Sequence, residues 1–340
     1  PLGVLGFNSL WNGTLLALQD PALAPLVGSE VDSILRSGEG RGTQDTETIA
    51  VFAEVSWDIT DKLTLELGAR YSEDTKEVFK SVALGRGGPG GEEILIASDG
   101  SLTEAGQADP LNSALVAAVW GDLLSTYPHE QDLKREEDHL DPSARLLWYP
   151  TGDTMVYASY VEGYKSGGFN SSPDTSNPDG TPGPGTEFED EGATAYELGL
   201  RSTLMDGRAR VGATLFYTEI DDLQVTSFTG LTFLVGNAAE MTSQGLELEG
   251  QIAATDGLIL GASLAYLKAE YDSYENARCT LAQSAVTEGP CRQDLSGETL
   301  PNAPEWSASL YADYRRPLGN SLELQLRADG GYKSEYYVAD

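Results

Sequence analysis

Few side chains in this sequence are of a type that does chemistry. His129 and His139 are the only imidazoles in 340 residues, and both fall in a long acidic stretch read as a loop over about 74–139. No Ser or Cys nucleophile stands in a recognisable setting near either, so acyl-transfer chemistry has no visible machinery. Cys279 and Cys291 share one polar loop with eleven residues between them. With no other Cys and no nearby His, a metal site there lacks ligands. A loop-closing disulfide in an oxidising compartment is expected, against the bland reading of two unrelated thiols. In the loop-entropy model such a closure is worth about 3 kcal/mol at most.

Glu187, Glu189, Asp190 and Glu191, with Asp174 and Asp179 nearby, could hold Ca²⁺ through hard oxygens. Their spacing is not that of an EF-hand loop, and a run of like charge is ordinarily solvated, so no metal is expected. The GRGGPGG at 85–91 lacks the Lys-Ser/Thr and the strand-to-helix setting of a phosphate cradle, and Gly163-Tyr-Lys-Ser misses its glycine spacing. Neither a cofactor nor an enzyme is expected.

The elements that carry these residues announce themselves by period-two alternation, which a strand needs when its two faces meet different surroundings. Ile49, Val51, Ala53, Val55 and Trp57 oppose Ala50, Phe52, Glu54 and Ser56. Leu63, Leu65, Leu67, Ala69 and Tyr71 oppose Thr64, Glu66, Gly68, Arg70 and Ser72. The pattern returns in 196–201, 209–217, 246–252, 306–315 and 322–327, and further strands are expected near 140–149, 154–164 and 258–270. In 154–164 both faces carry apolar groups, which leaves the outward one unassigned.

Connections alternate too. Tight Gly-, Asp-, Asn- and Pro-rich joins at 58–62, 150–153, 206–207, 255–257 and 317–320 read as hairpin turns. Those at about 74–139, 165–191, 219–241 and 271–303 are long and acidic. Short turns on one side and long loops on the other is the pattern of an outer-membrane barrel. Helices are expected inside two loops: one within 111–127, with Val116, Val119, Trp120, Leu123, Leu124 and Tyr127 on one face, and one capped by Ser29. Tyr and Trp near strand ends suit a membrane interface, or ordinary cross-strand pairing.

Composition agrees. The formal charge of -33, from 21 Lys+Arg against 54 Asp+Glu, repels phosphate and makes nucleic acid an unsuitable partner. No run of about 18 apolar residues exists, so no transmembrane helix is expected. Strands cross a bilayer with only alternate residues facing lipid, and remain open as the means of crossing. The sequence starts at Pro1 and stops at Asp340 after a strand-like run, from which a piece of a longer chain is expected.

The segment YASYVEGYKSGGFN at 157–170 resembles a recognisable stretch of the TonB-dependent outer-membrane receptors. Four others resemble the same family's barrel: 51–74 (VFAEVSWDITDKLTLELGARYSED), 195–225, 242–272 and 300–318 (LPNAPEWSASLYADYRRPL). The resemblance implies an all-β fold, a transmembrane antiparallel β-barrel with long extracellular loops. It implies a 22-stranded barrel, plugged by an N-terminal domain. About ten strands are read here, so residues 47–340 are expected to be a partial barrel without the plug and its TonB box, and residues 1–46 an extracellular loop region before the first strand.

The activity implied is import of a scarce nutrient, such as a ferric siderophore, cobalamin or oligosaccharide, across the outer membrane of a Gram-negative bacterium. Its partners would be the TonB complex through the plug, a small-molecule ligand, and outer-membrane lipid with lipopolysaccharide. Ligand contacts in such receptors are expected near the outer mouth, which singles out Tyr164, Lys165, Phe169 and Asn170, unless these simply shape the rim. Inward charges such as Glu54, Glu66, Arg70, Glu197, Arg201, Glu247 and Glu249 are expected to form charge ladders along a wet interior rather than a ligand path. A passive porin or adhesin barrel, and a soluble all-β sandwich, are the rival readings.

Overall fold

The computed structural model describes residues 38–88, 91–118, 120–121, 126–172, 175–228, 232–280, 283, 291–319 and 321–338. The helix expected after Ser29 lies outside them, as does most of the 1–46 region. Ten strands form one antiparallel meander: β1 (Gly38–Thr60), β2 (Leu63–Gly88), β4 (His129–Thr151), β5 (Thr154–Lys165), β8 (Glu191–Leu204), β9 (Ala209–Phe228), β10 (Phe233–Thr255), β11 (Leu258–Ser273), β14 (Trp306–Pro317) and β15 (Glu323–Lys333). A short β3 (Gly91–Ile96) adds to the outer end of β2, and β6 (Gly168–Phe169) with β7 (Glu187–Phe188), and β12 (Ala277–Arg278) with β13 (Arg292–Gln293), make two small ribbons. The wall is an open sheet whose edges are β1 and β15.

Register carries the outward apolar residues across the wall. Val55 lies beside Leu67, and Leu65 beside Leu146. From Leu146 the row continues through Ala158, Leu198, Leu215, Leu246 and Tyr266 to Trp306. A one-residue slip at any ladder would turn every later apolar residue inward, so this agreement over nine strands is strong evidence for one lipid-facing surface. Large side chains on it stand in the open, Leu198 and Leu215 each at 52% exposure and Leu310 at 66%. An apolar area of this extent requires a non-aqueous partner.

The register also assigns β5: Val156, Ala158 and Tyr160 face outward, while Tyr157, Ser159 and Val161 face inward. Tyr157 tolerates its inward place because Gly199 stands opposite. A Cβ on Gly199 would lie only 2.1 Å from the Tyr157 ring, so the missing side chain leaves the space the ring fills.

Aromatic rings mark the borders of the band. Tyr160, Tyr196 and Tyr217 adjoin in register, with neighbouring centroids 5.3 and 6.3 Å apart, and Tyr266 meets Trp306 at 4.9 Å. Trp57 and Trp148 stand at the opposite end, beside the tight turns. From Trp306 to Tyr314 the band runs nine residues. That fits the crossing length of about 9–11 tilted residues. The turn at Met205–Arg208 shows why these joins are tight: Asp206 and Gly207 have φ of 52° and 90°, and Arg208 N–H donates to the Met205 carbonyl at 3.1 Å. This is the left-handed pair that a two-residue hairpin requires.

The long loops are shorter than the sequence suggested. Much of 74–139 is strand: β2 runs on to Gly88 and β4 begins at His129, so His139 is a strand residue. Likewise β9 and β10 reach Phe228 and Phe233, which fills most of 219–241 with ladder. Above the aromatic border both faces of a strand meet water, so alternation ceases while backbone pairing continues. Helix α1 (Glu104–Ala108) and α2 (Pro110–Ala118) cover β2 and β3 there, with Leu115 and Val116 buried against Val82, Leu84, Leu95 and Ile96. Val119, Leu123 and Leu124 of the expected helix lie outside the described residues.

Candidate functional site

The wall opens at one seam. The β4–β5 ladder ends at Ser143 opposite Val161, whereas the β5–β8 ladder continues to Lys165 opposite Glu191. Beyond that point β4 stays paired with β2 alone, and residues 166–167 and 187–190 reach across the gap.

Tyr164 stacks on His139 across the seam, ring centroids 3.6 Å apart and planes 17° from parallel. Its hydroxyl donates to Asp74 Oδ2 at 2.5 Å, and Thr48 donates to the other oxygen of the same carboxylate. Burial pushes Asp74 up, but these two hydrogen bonds, together with nearby charge such as the Lys76 ammonium, outweigh it and hold the carboxyl below its ordinary value. Burial and the bond to Asp74 push the Tyr164 phenol the other way, up. Nearby, Lys76 Nζ donates to Ser166 Oγ at 2.6 Å and to the Gly167 carbonyl.

Arg135 ties the loop down. Its guanidinium reaches Glu137 Oε2 at 2.7 Å, Glu187 Oε1 at 2.8 Å, Glu189 Oε2 at 2.7 Å and Asp190 Oδ1 at 3.5 Å. The acidic cluster of the sequence is therefore largely an arginine-bound clamp, apart from Glu191, which faces Lys165 Nζ at 3.8 Å. The Arg135 and Lys76 contacts join residues up to 91 positions apart.

The four expected ligand residues share this rim but do different things. Lys165 keeps an exposed ammonium, and Phe169 is half-buried in the β6–β7 ribbon opposite Glu187. Asn170 is buried and fully engaged: its amide donates to the carbonyls of Gly185 at 2.8 Å and Val235 at 2.7 Å, and its Oδ1 accepts from Val235 N–H at 2.9 Å. Two residues not anticipated do similar work. Gln224 donates to the carbonyls of Lys165, Ser166 and Glu189, and Asn237 to those of Glu189, Asp190 and Asp222. No local pattern could have revealed them, because a side chain bonding to a distant carbonyl leaves no spacing.

Below the seam, on the inward face, lies a hollow of about 560 Å³ lined by Phe52, Glu54, Arg70, Asp74, Asp141 and Tyr164. Its size suits a small molecule. One arginine among four carboxylates, Glu54, Asp74, Asp141 and Glu162, gives it an acidic lining that favours cationic or hydrogen-bonding groups over dense anions. Far along the wall, Cys279 and Cys291 are bonded, with Cα atoms 5.5 Å apart, in the loop between β11 and β14.

Comparison with known proteins places this geometry. The family model described as TonB dependent receptor-like, beta-barrel matches residues 6–340. The chain belongs to the TonB-dependent receptor family. Members are receptors of the Gram-negative outer membrane rather than enzymes, and the lipid-facing band agrees with such a setting. A pesticin receptor from Yersinia pestis is 25% identical over 210 residues, covering 62% of this chain and 24% of the relative. Among solved structures, the ferric yersiniabactin uptake receptor FyuA from Yersinia pestis aligns with a TM-score of 0.60 at 18% identity, over 89% of this chain and 36% of the other. The siderophore receptor PiuA from Acinetobacter baumannii aligns at 0.53 and 18%, over 80% and 32%. The chain thus spans about a quarter of the length of the curated relative and a third of the solved TonB-dependent receptors.

Proposed function

We propose that this chain is part of the wall of an outer-membrane receptor that captures a scarce nutrient at its outer mouth and imports it in a TonB-dependent manner. The observation that carries this reading is the continuous apolar row over nine strands, joined to strands that rise well past the aromatic border into a hydrogen-bonded rim. A passive pore needs the first but has less use for the second. A ferric siderophore is the cargo class put first, because two solved structures that this chain resembles are named for ferric yersiniabactin uptake and as a siderophore receptor. Cobalamin or an oligosaccharide would suit the same architecture. The partners are then the TonB complex, met through a plug domain, together with the cargo and outer-membrane lipid with lipopolysaccharide.

Within this proposal Tyr164, Lys165 and Phe169 are the rim residues offered to cargo, and Asn170 supports the loop that presents them. The test is uptake of a panel of labelled ferric chelates, cobalamin and glycans by cells expressing the full receptor, with and without TonB. Saturable uptake of one class that vanishes without TonB is the expected result. Uptake that is linear in concentration and indifferent to TonB would assign a passive pore instead.

A further inference from the structure

We infer that Glu137, His139 and Asp190 form a site for a first-row divalent cation of the zinc type, which clasps the outer part of β4 to the chain entering β8. The three offer ligand atoms that all lie within 4.8 Å of one another, and His139 Nε2 is 3.8 Å from Asp190 Oδ2. Two atoms on one tetrahedral cation with bonds of about 2.0–2.2 Å lie about 3.3–3.6 Å apart. The His–Asp pair is within about 0.5 Å of that, and the widest separation allowed by the cluster closes with side-chain shifts of about 1.5 Å at most.

Two observations point to a ligand rather than a chance meeting of charges. Glu137 Oε1 and His139 Nε2 are both buried without a hydrogen-bond partner, and the Glu137 side chain keeps only 8% of its exposure. A buried carboxylate oxygen left bare is a costly arrangement that folded proteins seldom tolerate. Arg135 does not relieve it, because it binds Glu137 through Oε2 and Asp190 through Oδ1. It leaves Glu137 Oε1 and Asp190 Oδ2, the latter 3.8 Å from His139 Nε2, untouched by the guanidinium. A proton on His139 shared with Asp190 would satisfy Nε2 and still leave Glu137 Oε1 bare. A cation satisfies all three.

Charge and geometry agree. The single positive charge of Arg135 faces four carboxylates, Glu137, Glu187, Glu189 and Asp190, which leaves three negative charges that a divalent ion would largely offset. The His139 ring is held by its stack on Tyr164, so one ligand is oriented beforehand. Imidazole with two carboxylates suits zinc and its neighbours, whereas calcium would draw on six to eight oxygens and gain nothing from the histidine. The place also makes sense: the clasp sits where the β4–β5 ladder has ended, and joins β4 to Asp190, the residue preceding β8.

Calorimetric titration of Zn²⁺ alone into the metal-stripped, untagged full receptor in detergent tests this. One site per chain is expected, with affinity lowered at least about tenfold in His139→Gln and in Glu137→Gln, and unchanged in Glu275→Gln on a distant loop. Heat-dependent gel migration shows which variants are folded, and Glu137→Gln decides if His139→Gln is not. Absence of Zn²⁺ binding, equal binding by the folded variants, or displacement by equimolar Ca²⁺ would overturn the proposal. None of these outcomes touches the import reading, which is judged on cargo uptake.

Discussion

Replacing Asn170 with alanine isolates what holds the rim together. The side chain makes three hydrogen bonds to backbone, two as donor to Gly185 and Val235 carbonyls and one as acceptor from Val235 N–H, and it is only 6% exposed. Each such bond is worth about 0.5–1.5 kcal/mol net, and two of the three run to Val235, so their loss weakens the attachment of Asn170 to β10 by about 1–3 kcal/mol. At about 1.4 kcal/mol per tenfold, opening of this contact becomes roughly 5- to 150-fold more frequent. Hydrogen exchange of peptides covering residues 233–237 in the full receptor reads this directly, because the Val235 amide loses its acceptor. Asn170→Asp should be at least as damaging, since it turns a carboxylate toward two carbonyls. If Val235 exchanged at the parent rate in Asn170→Ala while cargo affinity fell, the side chain would be a cargo contact and the reasoning from its hydrogen bonds would be wrong.

Other consequences follow from the same geometry. Leu215→Arg, in the middle of the outward row, should lower folding stability in bilayers by about 2–4 kcal/mol, whereas inward Thr214→Arg should change it far less; equilibrium folding into lipid vesicles measures both. Tyr164→Phe keeps the ring on His139 but removes the bond to Asp74, which should loosen the seam by about 1–3 kcal/mol as read by exchange in 162–166. Asp74 titrates below its ordinary value of 3.8, so it stabilises the seam above that pH and the contribution disappears as pH falls through the lowered value. Seam exchange should therefore accelerate in acid in the parent but not in Asp74→Asn. Reduction of Cys279–Cys291 should raise exchange within 274–299 by removing a closure worth about 3 kcal/mol, and leave the β11–β14 ladder untouched.

The membrane band was legible in the sequence because two solvents impose a period of two on every strand that separates them. Leu65, Leu198, Leu215 and Leu310 could be placed outward by counting alone. β5 could not, because Tyr157 and Val161 put apolar groups on the wet face, and only the partner glycine across the ladder at Gly199 explains the tyrosine. The outer halves of β2 and β4 were invisible for a related reason. In Glu73-Asp74-Thr75-Lys76-Glu77 every side chain is polar, while the backbone pairs on regardless with Asp138, Glu137, Glu136, Arg135 and Lys134. The rim was legible only as a neighbourhood, through the motif containing Tyr164 and Asn170. Asp74, Arg135, Gln224 and Asn237 join it through contacts 35 to 90 residues long, which no local spacing encodes.

The claim that one face of this wall meets lipid is tested most directly by nitroxide labels placed singly at residues 210 through 217 of the full receptor in bilayers. The register predicts that collisions with oxygen peak at 211, 213, 215 and 217, where Val211, Ala213, Leu215 and Tyr217 face outward. A water-soluble nickel chelate should avoid those same positions. Oxygen maxima at 210, 212, 214 and 216, or no alternation at all, would contradict the account.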